Sequence, residues 1–159
     1  MQVITTDHPL HSQALELRAR VLLEPIGYSI ERFHGEYSGL EERFEQFVAV
    51  IDHPKGRRVI GTACLLAHYP ERGVGKLMQM AVDPQRRGEG IGRELIANLE
   101  RRAFGELGLR ALFCHAQLSA VPFYEKMGWR VVGPEFSEAG IPHRRMEFSP
   151  GEDPAGPAA

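Results

Sequence analysis

Apolar residues recur every four positions at Ile91, Leu95, Leu99, Ala103 and Leu107, while Arg93, Glu94, Glu100, Arg101 and Arg102 fall elsewhere, which predicts an amphipathic helix over residues 90–107. Gly108 supplies its exit. A second helical period, Leu10, Ala14, Leu17 and Val21, opens at Asp7-His8-Pro9 and stops before Pro25-Ile26-Gly27. Residues 2–6 alternate as a short strand. The β-branched run 47–51 turns at Asp52-His53-Pro54-Lys55-Gly56 into a longer strand over 58–68, which predicts a hairpin. Residues 74–82 and 111–116 read as further strands. Ser119 is expected to cap another helix that carries Pro122 in its first turn and ends at Gly128. Residues 129–132 and 145–148 close as strands, with a loop between them. Residues 28–39 show no clear period and predict an irregular excursion or a short helical turn. The order β-α-α-β-β-β-α-β-α-β-β describes a mixed α/β layer with central antiparallel hairpins and one crossover helix.

Length and composition fit a single domain over residues 1–149, followed by a tail at 150–159 whose Pro, Gly and Ala cannot bury an apolar face and which is expected to be disordered. With 19 basic and 21 acidic residues the net charge is −2, so no overall electrostatic case exists for nucleic acid or an anionic membrane. Cys64 and Cys114 sit in apolar runs, as buried thiols of a reducing compartment do, and no ligand spacing suggests zinc. The N-terminus lacks a basic and then apolar leader, and the longest apolar run, 59–67, is far short of the roughly 20 residues a membrane helix needs. These features predict a cytoplasmic enzyme.

The chemistry concentrates where the strand over 74–82 meets the long helix. Val82-Asp83-Pro84-Gln85-Arg86-Arg87-Gly88-Glu89-Gly90-Ile91-Gly92 runs from a strand through a Pro turn into three alternating glycines. Such glycines let backbone N–H groups converge, and the helix start adds free donors and a positive dipole end, so a diphosphate is the natural guest. The dinucleotide fingerprint would need glycine where Arg93 stands, and no Gly-Lys-Ser/Thr element occurs, which weakens NAD and ATP as ligands.

The segment Arg87-Gly88-Glu89-Gly90-Ile91-Gly92 resembles the Arg/Gln-x-x-Gly-x-Gly/Ala element of the GNAT superfamily of N-acyltransferases. About thirty residues on, Ala120-Val121-Pro122-Phe123-Tyr124-Glu125-Lys126-Met127-Gly128-Trp129 resembles that family's Ala-x-x-Phe-Tyr-x-x-x-Gly-aromatic helix and exit. Phe136-Ser137-Glu138-Ala139-Gly140-Ile141-Pro142-His143 is similar to the Glu-x-Gly-Ile-Pro-His ending of the small bacterial ElaA-like or YjcF-like subgroup. The resemblance covers nearly the whole chain and implies the GNAT fold, a mostly antiparallel central sheet flanked by helices. It further implies acetyl-CoA as cosubstrate, with its pyrophosphate at Arg87, Gly88, Gly90, Ile91 and Gly92. The backbone of Met80-Ala81-Val82 would pair with the pantetheine amides, and Phe123 would lie beside the bound cosubstrate. Gln117 stands where many members carry an asparagine that bonds the pantetheine arm.

Acetyl transfer to an amine requires a neutral amine, stabilisation of charge at the carbonyl oxygen, and a proton for the leaving thiolate. A tyrosine stays protonated at neutral pH, and the resemblance makes Tyr124 the proton donor. The plainer reading of Tyr124 is a core tyrosine bonded to a carbonyl. For the base, Glu138 and His143 stand first and His115 third; the plainer reading makes the first two parts of a turn in which His143 bonds backbone. Arg86, Arg101 and Arg102 read as surface. The acceptor side is expected at residues 23–40, where Glu24, Glu31, His34 and Glu36, with Glu41, Glu42 and Glu45 following, are interspersed with Arg18, Arg20, Arg32 and Arg43. Mixed charge leaves the identity of the amine, small molecule or protein, unread, and a homodimer stays open. Two rivals remain: an acyl-CoA-binding sensor or docking module on the same fold, and a nucleotide-phosphate enzyme using the glycine loop.

Overall fold

A computed structural model of the chain describes residues 1–151. Seven strands, β1 (Gln2–Ile4), β2 (Glu45–His53), β3 (Gly56–Ala67), β4 (Val74–Val82), β5 (Ala111–Gln117), β6 (Arg130–Glu138) and β7 (Ile141–Phe148), form one sheet in the order β1-β2-β3-β4-β5-β7-β6. Every neighbouring pair is antiparallel except β4 and β5. Four α-helices, α1 (His11–Arg18), α2 (Ile30–Glu36), α3 (Ile91–Glu100) and α4 (Val121–Lys126), flank it. The element order is the one the hydrophobic pattern predicts.

Boundaries differ from the sequence reading where local chemistry overrides period. Residues 28–39 contain a true helix, α2, because the Ser29 hydroxyl accepts the Arg32 N–H at 3.1 Å and Phe33 buries against the sheet. Ser119 caps nothing: it lies within a 3-10 turn, Leu118–Ala120, and α4 begins behind Ala120 without a side-chain cap. The last two strands are longer than expected, so the presumed loop between them is a β-hairpin turning at Ala139 and Gly140. The helices α1 and α3 each continue in wider turns, over Ala19–Leu23 and Arg101–Glu106. Of the expected disordered tail, residues 152–159 lie outside the described residues.

The sheet separates two apolar layers. On one side α3 presses Ile91, Leu95, Leu99 and Ala103 onto Ala63, Leu65, Leu112 and Met146, with Trp129 and Tyr124 closing that layer. Gly61 is the seat of this helix, since a Cβ there would stand 2.7 Å from Cγ2 of Ile91. On the other side α1 covers Val48, Val59 and Ala81, and α2 covers Cys64 and Leu66. Buried leucines and isoleucines at about 1.5–3 kcal/mol each supply the stabilisation of both layers.

A charged group crosses the second layer. Arg18 is 0% exposed, and its Nη1 donates to Oε1 of Glu41 at 2.6 Å while Nη2 donates to Oε2 at 3.1 Å. His11 and His34 also contact this carboxylate, at 3.2 and 3.3 Å. The Arg18 Nε donates to Oε1 of Gln79 at 3.3 Å. Gln79 is the left-handed residue, φ +53°, of a bulge at which β4 carries one residue more than β3. Sequence reading left Arg18 among scattered loop charges, whereas it ties α1, the start of β2 and the β4 bulge together.

Burial pushes the Glu41 carboxyl upward, but hydrogen bonds and charge from Arg18, with help from His11 and His34, outweigh it and hold the group below its ordinary value. A depressed carboxyl contributes stability that is complete above the unfolded value near 4.5 and is lost as pH falls through the folded one. Glu41→Gln should therefore cost about 3–5 kcal/mol at pH 7 by leaving Arg18 buried without its counter-charge. In urea titrations the gap between variant and parent should narrow as pH falls below about 4.5. A gap that stays constant from pH 7 to pH 3 would remove Glu41 as its source.

Candidate active site

The strands β4 and β5 pair through only Val74 with Ala111, Gly75 with Leu112, and Lys76 with Phe113. Beyond that point β4 stays with β3 as far as Val82, and β5 stays with β7 as far as Gln117. The two strands thus part inside the sheet and leave a wedge. Among the described residues the β4 edge facing β5 has no strand partner from Leu77 to Val82, so its backbone polar groups are available to an extended guest. Met80, Ala81 and Val82, expected to bind through their main chain, lie along that edge.

At the far end of β4 stands the glycine loop. The Asp83 carboxylate accepts the Gln85 N–H at 3.0 Å and starts a tight turn over Pro84–Arg86. Gly88 and Gly90 then adopt φ of +86° and +80°, and a Cβ on either would meet nothing within 4 Å. The left-handed backbone, not crowding, selects glycine there. Gly90 caps α3, whose first-turn N–H groups have no intrahelical acceptors. Gly92 answers a different need, because a Cβ there would stand 3.3 Å from Cζ of Phe123. The two sequence motifs are thereby in contact, the third glycine of one against the aromatic of the other.

Arg86 lies 3.5 Å from Glu89, which fits the surface role expected of it. Arg87 has no ion-pair partner among the described residues and is the free guanidinium beside the loop. Arg102 is more than helix surface: it donates to Glu45 at 2.6 Å and to Glu106 at 2.7 Å, tying the end of the long helix to β2.

Tyr124 lies on α4, in the apolar layer that α3 covers. It is 6% exposed, with its ring 5.2 Å from Phe123 and 5.4 Å from Trp129. Among the described residues its hydroxyl has no hydrogen-bond partner. The core-tyrosine reading required one. Burial lifts the phenol well above its ordinary value, so it keeps its proton. The neighbouring Cys114 and the more distant Cys64 are free thiols that burial pushes up to about 12, which makes both poor nucleophiles.

The opposite face of the wedge collects the remaining candidates. The Glu138 Oε1 lies 2.9 Å from Nδ1 of His115, and its Oε2 lies 3.6 Å from Nε2 of His143. The hydrogen bond from His115, opposed by burial, holds the Glu138 carboxyl below its ordinary value. His143 is a strand residue of β7, paired with Gln117 and not on a loop. It is buried, its Nδ1 lies 2.7 Å from the Ile141 carbonyl, and its ring stacks on Phe136 at 5.9 Å. The backbone-bonded reading of His143 therefore holds. His115 is half-buried, packs edge-on against Phe136 at 5.0 Å, and leaves Nε2 without a protein partner among the described residues. Gln117 ends β5 at the mouth of the wedge.

Sequence reading missed Lys76. It sits at the last β4–β5 pair, is 8% exposed, and places Nζ 5.8 Å from the Phe113 ring and 6.0 Å from the Tyr69 ring. Burial lowers its ammonium from the ordinary value; Glu138 opposes that and Arg145 adds to it. A lone charge inside an otherwise apolar strand was its signal. Of the six glutamates expected to form an acidic wall between 24 and 45, three are ion-paired: Glu36 with Arg32, Glu41 with Arg18, and Glu45 with Arg102.

Residues 25–150 match the family described as the acetyltransferase (GNAT) domain. The chain is 31% identical over 144 residues to the Bacillus subtilis protein YyaT, covering 90% of each. It is 41% identical over 75 residues to the Bacillus subtilis N-acetyltransferase YjcF, covering 46% of this chain and 53% of that one. Its fold is similar to that of Escherichia coli ElaA, with a TM-score of 0.72 at 17% identity over 92% of this chain and 96% of the other. An aminoglycoside 6′-N-acetyltransferase complexed with coenzyme A superposes with a TM-score of 0.71 at 18% identity, over 96% of this chain and all of the other. Among the described residues no helix is long and apolar enough to cross a membrane. Since the matched span takes in both strands of the wedge, the glycine loop and the Phe-Tyr helix, the chain belongs to the GNAT acetyltransferase family, as an N-acetyltransferase that uses acetyl-CoA.

Proposed function

We propose that the chain transfers an acetyl group from acetyl-CoA directly to a primary amine, with Tyr124 returning a proton to the departing sulfur. One observation carries this reading: a buried tyrosine on α4, packed against Phe123 and Trp129, whose hydroxyl has no hydrogen-bond partner among the described residues and so is free to donate to an incoming atom.

The donor set fits coenzyme A. The amides of Gly88, Gly90, Ile91 and Gly92 with the Arg87 guanidinium would hold the pyrophosphate, the open edge at Met80, Ala81 and Val82 would take the pantetheine amides, and the Gln117 side chain would reach the same arm. Phe123 backs the loop through Gly92. Acetyl-CoA supplies the acyl group as a thioester. The β4 amides in the wedge would polarise its carbonyl oxygen, and the Tyr124 hydroxyl would give up its proton at the sulfur. The CoA-bound aminoglycoside acetyltransferase supports this assignment by shared fold.

We assign the amine's proton to Nε2 of His115, with Glu138 as the positioning residue. A carboxylate accepts only, so the 2.9 Å contact puts the His115 proton on Nδ1 and leaves a lone pair on Nε2. His143, held by Ile141, backs Glu138 from the other side. Two buried thiols accord with a cytoplasmic location, where we place the chain. The acceptor is a small amine or a protein amine; one relative, a Trypanosoma brucei glucosamine 6-phosphate N-acetyltransferase 33% identical over 86 residues, uses a small one by its name.

Three measurements test the reading. Coenzyme A and acetyl-CoA should raise the unfolding temperature in proportion to ln(1 + [L]/Kd), whereas ATP and NAD should not; stabilisation by ATP alone overturns it. Tyr124→Phe should lower thiol release in the presence of amines by about 10²-fold while calorimetric CoA affinity stays near the parent's, and parental turnover would remove Tyr124 from the chemistry. His115→Ala should lose on the order of 10²–10⁴-fold in kcat/KM, and Glu138→Gln a smaller factor in the same direction. Tight CoA binding with no turnover across a broad amine panel would instead mark a sensor or docking module.

A further inference from the structure

Lys76 lies where the proposed reaction does not need it. The residue as a whole is 8% exposed, and among the described residues its ammonium has neither a hydrogen-bond nor an ion-pair partner. Its neighbours are the Phe113 and Tyr69 rings, and Phe113 carries a second cation, the Arg145 guanidinium 4.0 Å from its centroid. Ring faces offset part of the desolvation of a cation, at about 0.5–2 kcal/mol each, which is less than a buried charge costs. The site is short of one negative charge.

Position says what could supply it. Strand alternation puts Lys76, Phe113 and His115 on the same face of the sheet, the face opposite α3 and Tyr124. Lys76 is the last residue before the strands part, so it stands at the closed end of the wedge. The bulge at Gln79 begins only a few residues on, roughly 3.3 Å of strand per residue. An amine delivered to His115 would thus place whatever lies several bonds behind its nitrogen next to Lys76. Glu138, the nearest carboxylate on that face, is already engaged with His115 and His143.

We infer that Lys76 binds an anionic group of the acceptor, so that the substrate class is a primary amine carrying a carboxylate or phosphate a few bonds from its nitrogen. The inference rests on the acyl-transfer reading above and narrows it. Ammonium and anion would pair in a site closed on two sides by Phe113 and Tyr69, where a charge-assisted hydrogen bond is worth more than at an exposed lysine.

The test uses the full chain, acetyl-CoA and matched amines that differ only in the anion: β-alanine against β-alaninamide, 4-aminobutyrate against its amide, and O-phosphoethanolamine against 2-aminoethanol. At least one charged member should exceed its neutral partner by roughly tenfold or more in kcat/KM, carried by KM, and the successful pair distinguishes carboxylate from phosphate. Lys76→Met should erase that ratio and Lys76→Arg should keep most of it. Equal use of charged and neutral partners by the parent chain overturns the inference whether or not either variant folds, and so does a ratio that survives in Lys76→Met. Should no amine turn over, calorimetry of the CoA-loaded chain with β-alanine and O-phosphoethanolamine decides, and heat from neither overturns it. Failure of CoA itself to bind would instead sink the reading on which the inference rests.

Discussion

Everything functional in this fold depends on two parallel strands that stop pairing after three residues. A continuous β4–β5 ladder would satisfy the backbone of both strands and leave nothing to bind. The early parting frees one edge of β4 while β3 still holds its other edge, so the open groups sit on a rigid element. The glycine loop gains its direction from the same strand, since β4 delivers the chain straight into Asp83 and the start of α3. The helix is fixed in turn by Gly61 beneath Ile91 and by Phe123 against Gly92. Glycine loop, open β4 edge and the Phe-Tyr helix are therefore referred to one frame.

Keeping the strands apart requires polar groups within apolar layers, and the structure handles them in two ways. Arg18 has a partner for each of its three guanidinium nitrogens: two bonds to Glu41 and one to the bulge residue Gln79. Such a group fixes geometry, and here it fixes the residue at which β4 departs from regular register. Lys76, the Tyr124 hydroxyl and Nε2 of His115 have no hydrogen-bond partner among the described residues, so each is free to bond to atoms from outside the chain.

The sequence made the fold legible because its strong periods are long. The helix over 90–107, the hairpin about 52–56 and the strand over 74–82 all rest on patterns that tertiary contacts reinforce, and the glycine loop is chemistry written in consecutive residues. Errors gathered where a single local bond decides: Ser29 starting α2, Ser119 capping nothing, and Ala139-Gly140 turning a hairpin where a loop was expected. The acceptor face was less legible for a different reason. His115, Glu138 and Lys76 lie on three strands, and Arg18 meets Glu41 across 23 residues, so no window of sequence contains the groups that act together. Their one trace is a charged residue at an apolar position, Arg18 four after Ala14 and Lys76 within Val74-Gly75-Lys76-Leu77.

The alternation of β5 keeps apart the two proton transfers of the proposed reaction. Cys114 and Ala116 point into the layer that holds Tyr124, whereas Phe113, His115 and Gln117 point to the other face. In the proposed reaction the proton that His115 would take and the proton that Tyr124 would give thus belong to groups on opposite sides of the sheet. Each group then keeps the protonation state its role demands: Tyr124 is walled in by Phe123 and Trp129 and holds its proton, while His115 is fixed by the ionised Glu138 with its free nitrogen outward. The Nδ1 bond of His143 to Ile141 leaves its Nε2 in a buried position facing the Glu138 carboxylate at 3.6 Å, which is why the half-buried histidine of β5, and not the buried histidine of β7, is proposed as the base.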